Sequence, residues 1–147
     1  MLKIKPFKQS KGMCGPASLK MVLSYYNINK SEKELAKLTK TNKAGCSEKE
    51  IVKTAKSLGL KGKIKQKSTI KELKQLNKKG IPVIVDWFSP EEAGHYSVVV
   101  GFNKNNIFLA DPHFGKIKQY NLDWFKERWY DIVNDKLIIR EIIVIQN

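Results

Sequence analysis

The feature that most constrains this chain is a change of period near residue 80 of its 147. Before that point, apolar residues recur at helical spacing and helix-start signals repeat. In CGPASLKMVLSYY (14–26), Leu19, Val22, Leu23 and Tyr26 share one face. Pro16 suits a first turn, where its missing N–H costs nothing. Ser31 with Glu34, Ser47 with Glu50 and Thr69 with Glu72 each read as a capping box opening a helix. Gly59 and Gly80 read as helix stops. After residue 80 the chain changes to β-branched and aromatic runs: IPVIVDWF (81–88) and HYSVVVGF (95–102). A turn at Asn103 to Asn106 returns the chain through NIFLAD (106–111). KIKQYNL (116–122) is a further strand, LDWFKERW a short helix capped by Asn121, and KLIIREIIVIQ (136–146) the last strand. Helices first and a mostly antiparallel sheet second predict an α+β fold. One domain over 1–147 is expected, its helical part about 10–80 and its sheet part about 81–147.

Composition narrows the functional classes. No apolar run approaches the ~18 residues of a membrane span, and MLKIKPFKQSKGM lacks the apolar stretch of a signal peptide. A cytoplasmic setting is expected, and a disulfide between Cys14 and Cys46 is not. Two cysteines without a partner cluster make a poor zinc site, so neither metal nor cofactor is expected. Lys and Arg number 28 against 14 Asp and Glu, a net charge of +14. Such a field attracts polyanions, acidic peptides and anionic surfaces. The lysines are scattered, however, with no zinc finger, RRM signature or basic arm. A lysine-rich solvated surface explains them more simply than nucleic-acid binding.

Cys14 stands where a helix begins, and a helix start lowers a thiol's pKa through its free N–H groups and dipole. The plain alternative is a buried apolar cysteine on an amphipathic helix. Gly15 and Ala17 are small enough to let a peptide approach the backbone. Gln9, five residues upstream, offers an amide donor for an oxyanion, together with the Cys14 N–H; otherwise it is an exposed loop residue. Of the two histidines, His95 lies at the start of a strand and His113 in the turn DPHFG. The strand is the better platform for a base, although a histidine there is more often structural. A hairpin from 95–102 to 106–111 carries Asp111 back beside His95, where it would fix the imidazole tautomer. The alternative for Asp111 is a turn-initiating residue before Pro112. Asp86 is another acid on an adjacent strand, without a comparable pairing argument. Gly94 and Tyr96 flank His95 and, with Gly15, are expected at the substrate.

QSKGMCGPASLKMVL resembles the active-site helix of the bacteriocin-processing cysteine peptidases. These are the double-glycine leader peptidases, often fused to the N-terminus of ABC exporters, and their stand-alone relatives. GHYSVVVGF resembles their histidine strand, NIFLADPHFG with LDWFKERW their aspartate segment and closing helix, and AGCSEKEIVKTAKSLGL their middle segment. The resemblance covers nearly the whole chain in the family's order. It implies a papain-like fold, a triad of Cys14, His95 and Asp111, and an oxyanion-hole glutamine at Gln9. Met13 stands where the family usually has an acidic residue, and Cys46 is an addition, read as a small, partly buried residue. The leading expectation is a cysteine endopeptidase acting on a leader peptide, for which the +14 charge suits an acidic one, with an ABC exporter as a partner. The alternatives are a peptidase-like domain that binds peptides without cutting them, a charge-driven nucleic-acid or anionic-surface binder, and an acyltransferase or transglutaminase using the same triad.

Overall fold

A computed structural model describes residues 1–147. Three helices, α1 (Cys14–Tyr25), α2 (Glu32–Leu38) and α3 (Glu48–Ser57), precede strand β1 (Lys61–Lys65) and helix α4 (Ile70–Lys78). Strands β2 (Val83–Ser89), β3 (Ala93–Phe102), β4 (Asn106–Asp111) and β5 (Lys116–Asn121) follow as a meander. Helix α5 (Leu122–Arg128), the hairpin β6 (Tyr130–Val133) and β7 (Lys136–Ile139), and β8 (Ile142–Gln146) complete the chain. The six-stranded sheet has the order β1-β8-β2-β3-β4-β5, and every pairing is antiparallel.

Strand alternation sends successive side chains to opposite faces. Ile84, Tyr96, Val98, Val100, Ile143 and Ile145 meet Leu19, Val22 and Leu23 of α1, Leu35 of α2 and Ile51 of α3. Val83, Val85, Trp87, Val99, Ile107 and Leu109 meet Leu73 of α4 and Phe125 of α5. The sheet therefore lies between two helical layers. This is the expected α+β architecture, with one difference: α4, read with the helical half, packs on the far face.

The local signals hold with two amendments. Ser31 and Glu34 make the reciprocal capping box. Ser47 and Thr69 accept from the N–H of Glu50 and Glu72, without the return bond. Gly59 and Gly80 end their helices at φ +90° and +75°, where a side chain is strained.

Two strand readings change. Residues 136–146 are two strands rather than one. Arg140 sits between them at φ 46°, donating from its backbone to Trp129 O (3.0 Å) and from Nε to Ser68 O (2.8 Å). Those two bonds turn the chain from the β6–β7 hairpin into the sheet. β1, KGKIK, has no β-branched run to announce it and forms by pairing with β8 at the sheet edge. Its lysines fit an edge strand, where charge discourages further pairing.

Candidate active site

Cys14 is the first residue of α1, and this helix start differs from the other four. Ser31, Ser47, Thr69 and Asn121 cap α2 to α5 with side-chain oxygens, whereas Met13 before α1 provides none. The first turn of α1 also contains no acid. Its leading N–H groups are thus free of side-chain caps, and the positive end of the helix dipole lies at the thiol. The expected drop in thiol pKa nevertheless does not occur in this resting arrangement. Burial pushes Cys14 up to about 12, the Glu92 carboxylate adds to the rise, and only the Tyr96 backbone N–H draws it down. Desolvation of the thiolate outweighs the helix end.

His95 lies on β3 and Asp111 at the end of β4, both fully shielded by their neighbours. The β3–β4 hairpin pairs Val98 with Ala110, and a one-residue shift follows between Val99 and Gly101. This register brings His95 Nε2 to 2.7 Å from Asp111 Oδ1. The carboxylate is held in turn by the His113 N–H (3.0 Å to Oδ1) and the Tyr120 hydroxyl (3.4 Å to Oδ2). Trp87 packs edge-on against the imidazole at 6.2 Å between ring centres. An acid on Nε2 fixes the tautomer: Nε2 carries the proton and donates to Asp111. Nδ1 is left as the acceptor. It is buried, has no hydrogen-bond partner, and lies 3.6 Å from Glu92 Oε2. A His95 nitrogen, Cys14 Sγ and a Glu92 carboxylate oxygen all fall within 4.8 Å of one another.

Gln9 is tethered by its backbone N–H to Pro112 O at 2.8 Å, next to Asp111. Its amide reaches the site and donates to Glu92 Oε1 at 3.3 Å. Glu92, in the β2–β3 turn, also places Oε2 at 2.7 Å from His113 Nδ1 and 3.6 Å from His95 Nδ1. Glu92 therefore holds the Gln9 amide with one oxygen and His113 with the other. Sequence reasoning left out Glu92 and read His113 only as a residue of the turn DPHFG. The signal available was proximity in the chain, since Glu92 lies three residues before His95 and His113 two residues after Asp111.

Cys14, Glu92 and His95 open on a cleft of about 580 Å³ that also includes Gly94, Tyr96 and Cys46, whereas Gln9, Asp111 and His113 lie outside its lining. Gly94 is exposed there, and its missing side chain admits the Asp131 carboxylate, which a Cβ would meet at 2.5 Å. Tyr96 is nearly buried and donates its hydroxyl to Cys46 O at 3.2 Å. Gly15 is covered: a Cβ there would run into Cys46 Sγ and touch the Tyr96 ring. Its smallness thus makes room for Cys46 rather than for a peptide. Cys46 is half-buried, and both cysteines are free.

The charge of the cleft runs opposite to that of the whole molecule. Glu48, Glu50, Glu92 and Asp131 line it, against Lys40 and Lys43. An acidic leader peptide, which the +14 charge favours, does not suit this lining; the excess lysines lie on other surfaces. Asp86 belongs to this wall. Burial, and then the neighbouring Asp131 carboxylate, push it up to about 10, while burial and Glu48 push Glu141 up to about 8.

The Peptidase C39 family profile matches residues 4–134. This chain belongs to the Peptidase C39 family. The C39 chain is 35% identical over 104 residues to a protein of Methanothermobacter thermautotrophicus described only as uncharacterized, covering 71% of this chain and 68% of that one. It is 33% identical over 118 residues to the transport/processing ATP-binding protein ComA of Streptococcus pneumoniae, covering 79% of this chain but 16% of the transporter. Among solved structures, the peptidase domain of Streptococcus ComA superposes with a TM-score of 0.80 at 28% identity, over 97% of this chain and 98% of that one. A double-glycine motif protease from an AMS/PCAT transporter, solved with its leader peptide, shares the fold at a TM-score of 0.75 and 23% identity, over 98% and 91% of the two chains. The C39 chain contains no helix long and apolar enough to cross a membrane.

Proposed function

We propose that this chain is a thiol endopeptidase in which Cys14 is the nucleophile, His95 the acid–base and Asp111 the group that orients His95. The observation that carries this reading is the division of labour on one imidazole. Nε2 is committed to Asp111 at 2.7 Å, Nδ1 is left buried and without a hydrogen bond, and a His95 nitrogen lies within 4.8 Å of Cys14 Sγ. His95 Nδ1 takes the Cys14 proton as the sulfur attacks the scissile carbonyl. Because the resting thiol is neutral, the proton moves during attack rather than before it. The carbonyl oxygen becomes an oxyanion held by the Gln9 amide and the Cys14 N–H. His95 then protonates the leaving amine, and water hydrolyses the thioester. A bound peptide must first move Glu92 off Gln9.

The likeness to the ComA peptidase domain and to a double-glycine motif protease supports a leader peptide as the substrate class, cut after small residues. It supports an ABC exporter as a partner in the same way. The acidic lining favours neutral or basic side chains beside the scissile bond. The position of Glu92 favours a second reading, a domain that binds peptides without cleaving them. Peptide-library profiling by mass spectrometry, with Cys14→Ala as control, separates the two. Cleavage after small residues that disappears in the variant supports the peptidase; peptide binding with no cleavage by either protein overturns it.

A further inference from the structure

We infer that Glu48, Asp86, Asp131 and Glu141 form a binding site for a hard divalent cation of the calcium class, beside the candidate active site but separate from it. The four come from four places in the fold: the start of α3, the middle of β2, β6, and the link between β7 and β8. One carboxylate oxygen each from Glu48, Asp86 and Glu141 lies within 4.8 Å of the others. That matches the ~5 Å that can separate two oxygens bound to one Ca²⁺ at about 2.5 Å each. Asp131 stands against Asp86, admitted by the absent side chain of Gly94.

The second observation is that two of these acids are buried, each with one oxygen left unbonded. Asp86 is 3% exposed and Glu141 4%, and Asp86 Oδ2 and Glu141 Oε2 have no hydrogen-bond partner. None of the four makes an ion pair, although the chain has 28 Lys and Arg. Buried carboxylates are ordinarily paired or bound to metal. A fold this rich in lysine that converges four acids from distant segments, and pairs none of them with a lysine, is built for a cation from solution. Oxygen-only donors favour a hard ion over zinc or copper. Ca²⁺ fits better than Mg²⁺, which demands octahedral geometry and keeps several waters. The sequence has no calcium-loop pattern, because these ligands are spread from residue 48 to 141. A cation here would tie α3, β2 and β6 into one rigid wall of the cleft. The inference stands whether or not the cleft cleaves peptides.

The test is calorimetric titration of the EDTA-treated full chain with CaCl₂, paired with thermal unfolding at matched ionic strength. We expect one saturable site per chain and a rise in Tm beyond that given by NaCl. Asp86→Asn and Glu141→Gln should each weaken binding at least about tenfold. Both are near-isosteric and take an acid out of a crowded carboxylate cluster, so both should fold in EDTA, as circular dichroism would register. Glu127→Gln, an exposed acid on α5, should bind like the parent. No saturable heat up to about 10 mM Ca²⁺, well above the weakest structural calcium modules, overturns the inference. So does undiminished binding by folded Asp86→Asn and Glu141→Gln proteins, or tighter binding of Mg²⁺ than of Ca²⁺.

Discussion

At the scale of single residues, the site contains two opposed influences on one thiol. The uncapped start of α1 favours the thiolate, whereas burial and Glu92 oppose it and prevail. Iodoacetamide should therefore alkylate Cys14 slowly at neutral pH. Its rate should climb about tenfold per pH unit between 7 and 9 without a plateau, because the thiolate fraction keeps rising below a pKa near 12. Glu92→Gln removes one of the charges that hold the thiol neutral, so alkylation at a fixed pH should quicken several-fold. An unchanged rate would mean that Glu92 has no electrostatic reach to Cys14. Asp111 acts one step further back. Asp111→Ala removes the acceptor that fixes the proton on Nε2. In peptide cleavage assays its kcat should fall by about 10²–10⁴ with a much smaller change in KM. A fall confined to KM would remove the orienting role.

At the scale of elements, capping distinguishes α1 from its neighbours. Ser31 makes the one reciprocal box, with its side chain taking the Glu34 N–H at 3.1 Å. Ser31→Ala should cost about 1 kcal/mol, read as a lower urea midpoint with an unchanged slope. Loss of the far smaller amount typical of an exposed surface change would show that α2 is held by Leu35 alone. Converting Met13 to Asp tests the opposite case. A cap added to α1 should stabilise the helix while placing a negative charge next to Cys14, so the melting temperature should rise and alkylation should slow. Local signals of this kind were readable in the sequence, because a cap, a Gly stop or a β-branched run acts within a few residues. The β1 strand and the break at Arg140 were not, because β1 exists through β8 and the break through bonds to Ser68 and Trp129.

At the scale of the whole molecule, charge is the unbalanced quantity. Net charge is +14, and the lysines make only two ion pairs, Lys30 with Glu34 at 4.0 Å and Lys65 with Glu72 at 2.6 Å. Self-repulsion on such a surface opposes compaction. Raising NaCl from about 0.1 M to 1 M shortens the screening length from ~10 Å to ~3 Å. The melting temperature should rise with it, and a fall would show that salt-sensitive attractions outweigh the repulsion. The same charge attracts random oligonucleotides at low salt. That binding should fall steeply as salt increases and leave peptide cleavage unaffected, because the cleft is lined by acids.

The sequence by itself determined the helix starts, most of the strand runs, the α+β class and the four residues Gln9, Cys14, His95 and Asp111 as candidates. Each of these rests on short-range chemistry or on hairpin arithmetic that a turn at 103–106 makes reliable. Tertiary structure alone decided what surrounds those residues. It brought Glu92 and His113 onto the Gln9 amide and the imidazole side of the site, raised the thiol by burial, covered Gly15 with Cys46, and assembled Glu48, Asp86, Asp131 and Glu141. These contacts join residues that are distant in the chain. Burial and field at a point depend on everything packed around it, and one-dimensional spacing does not contain that information.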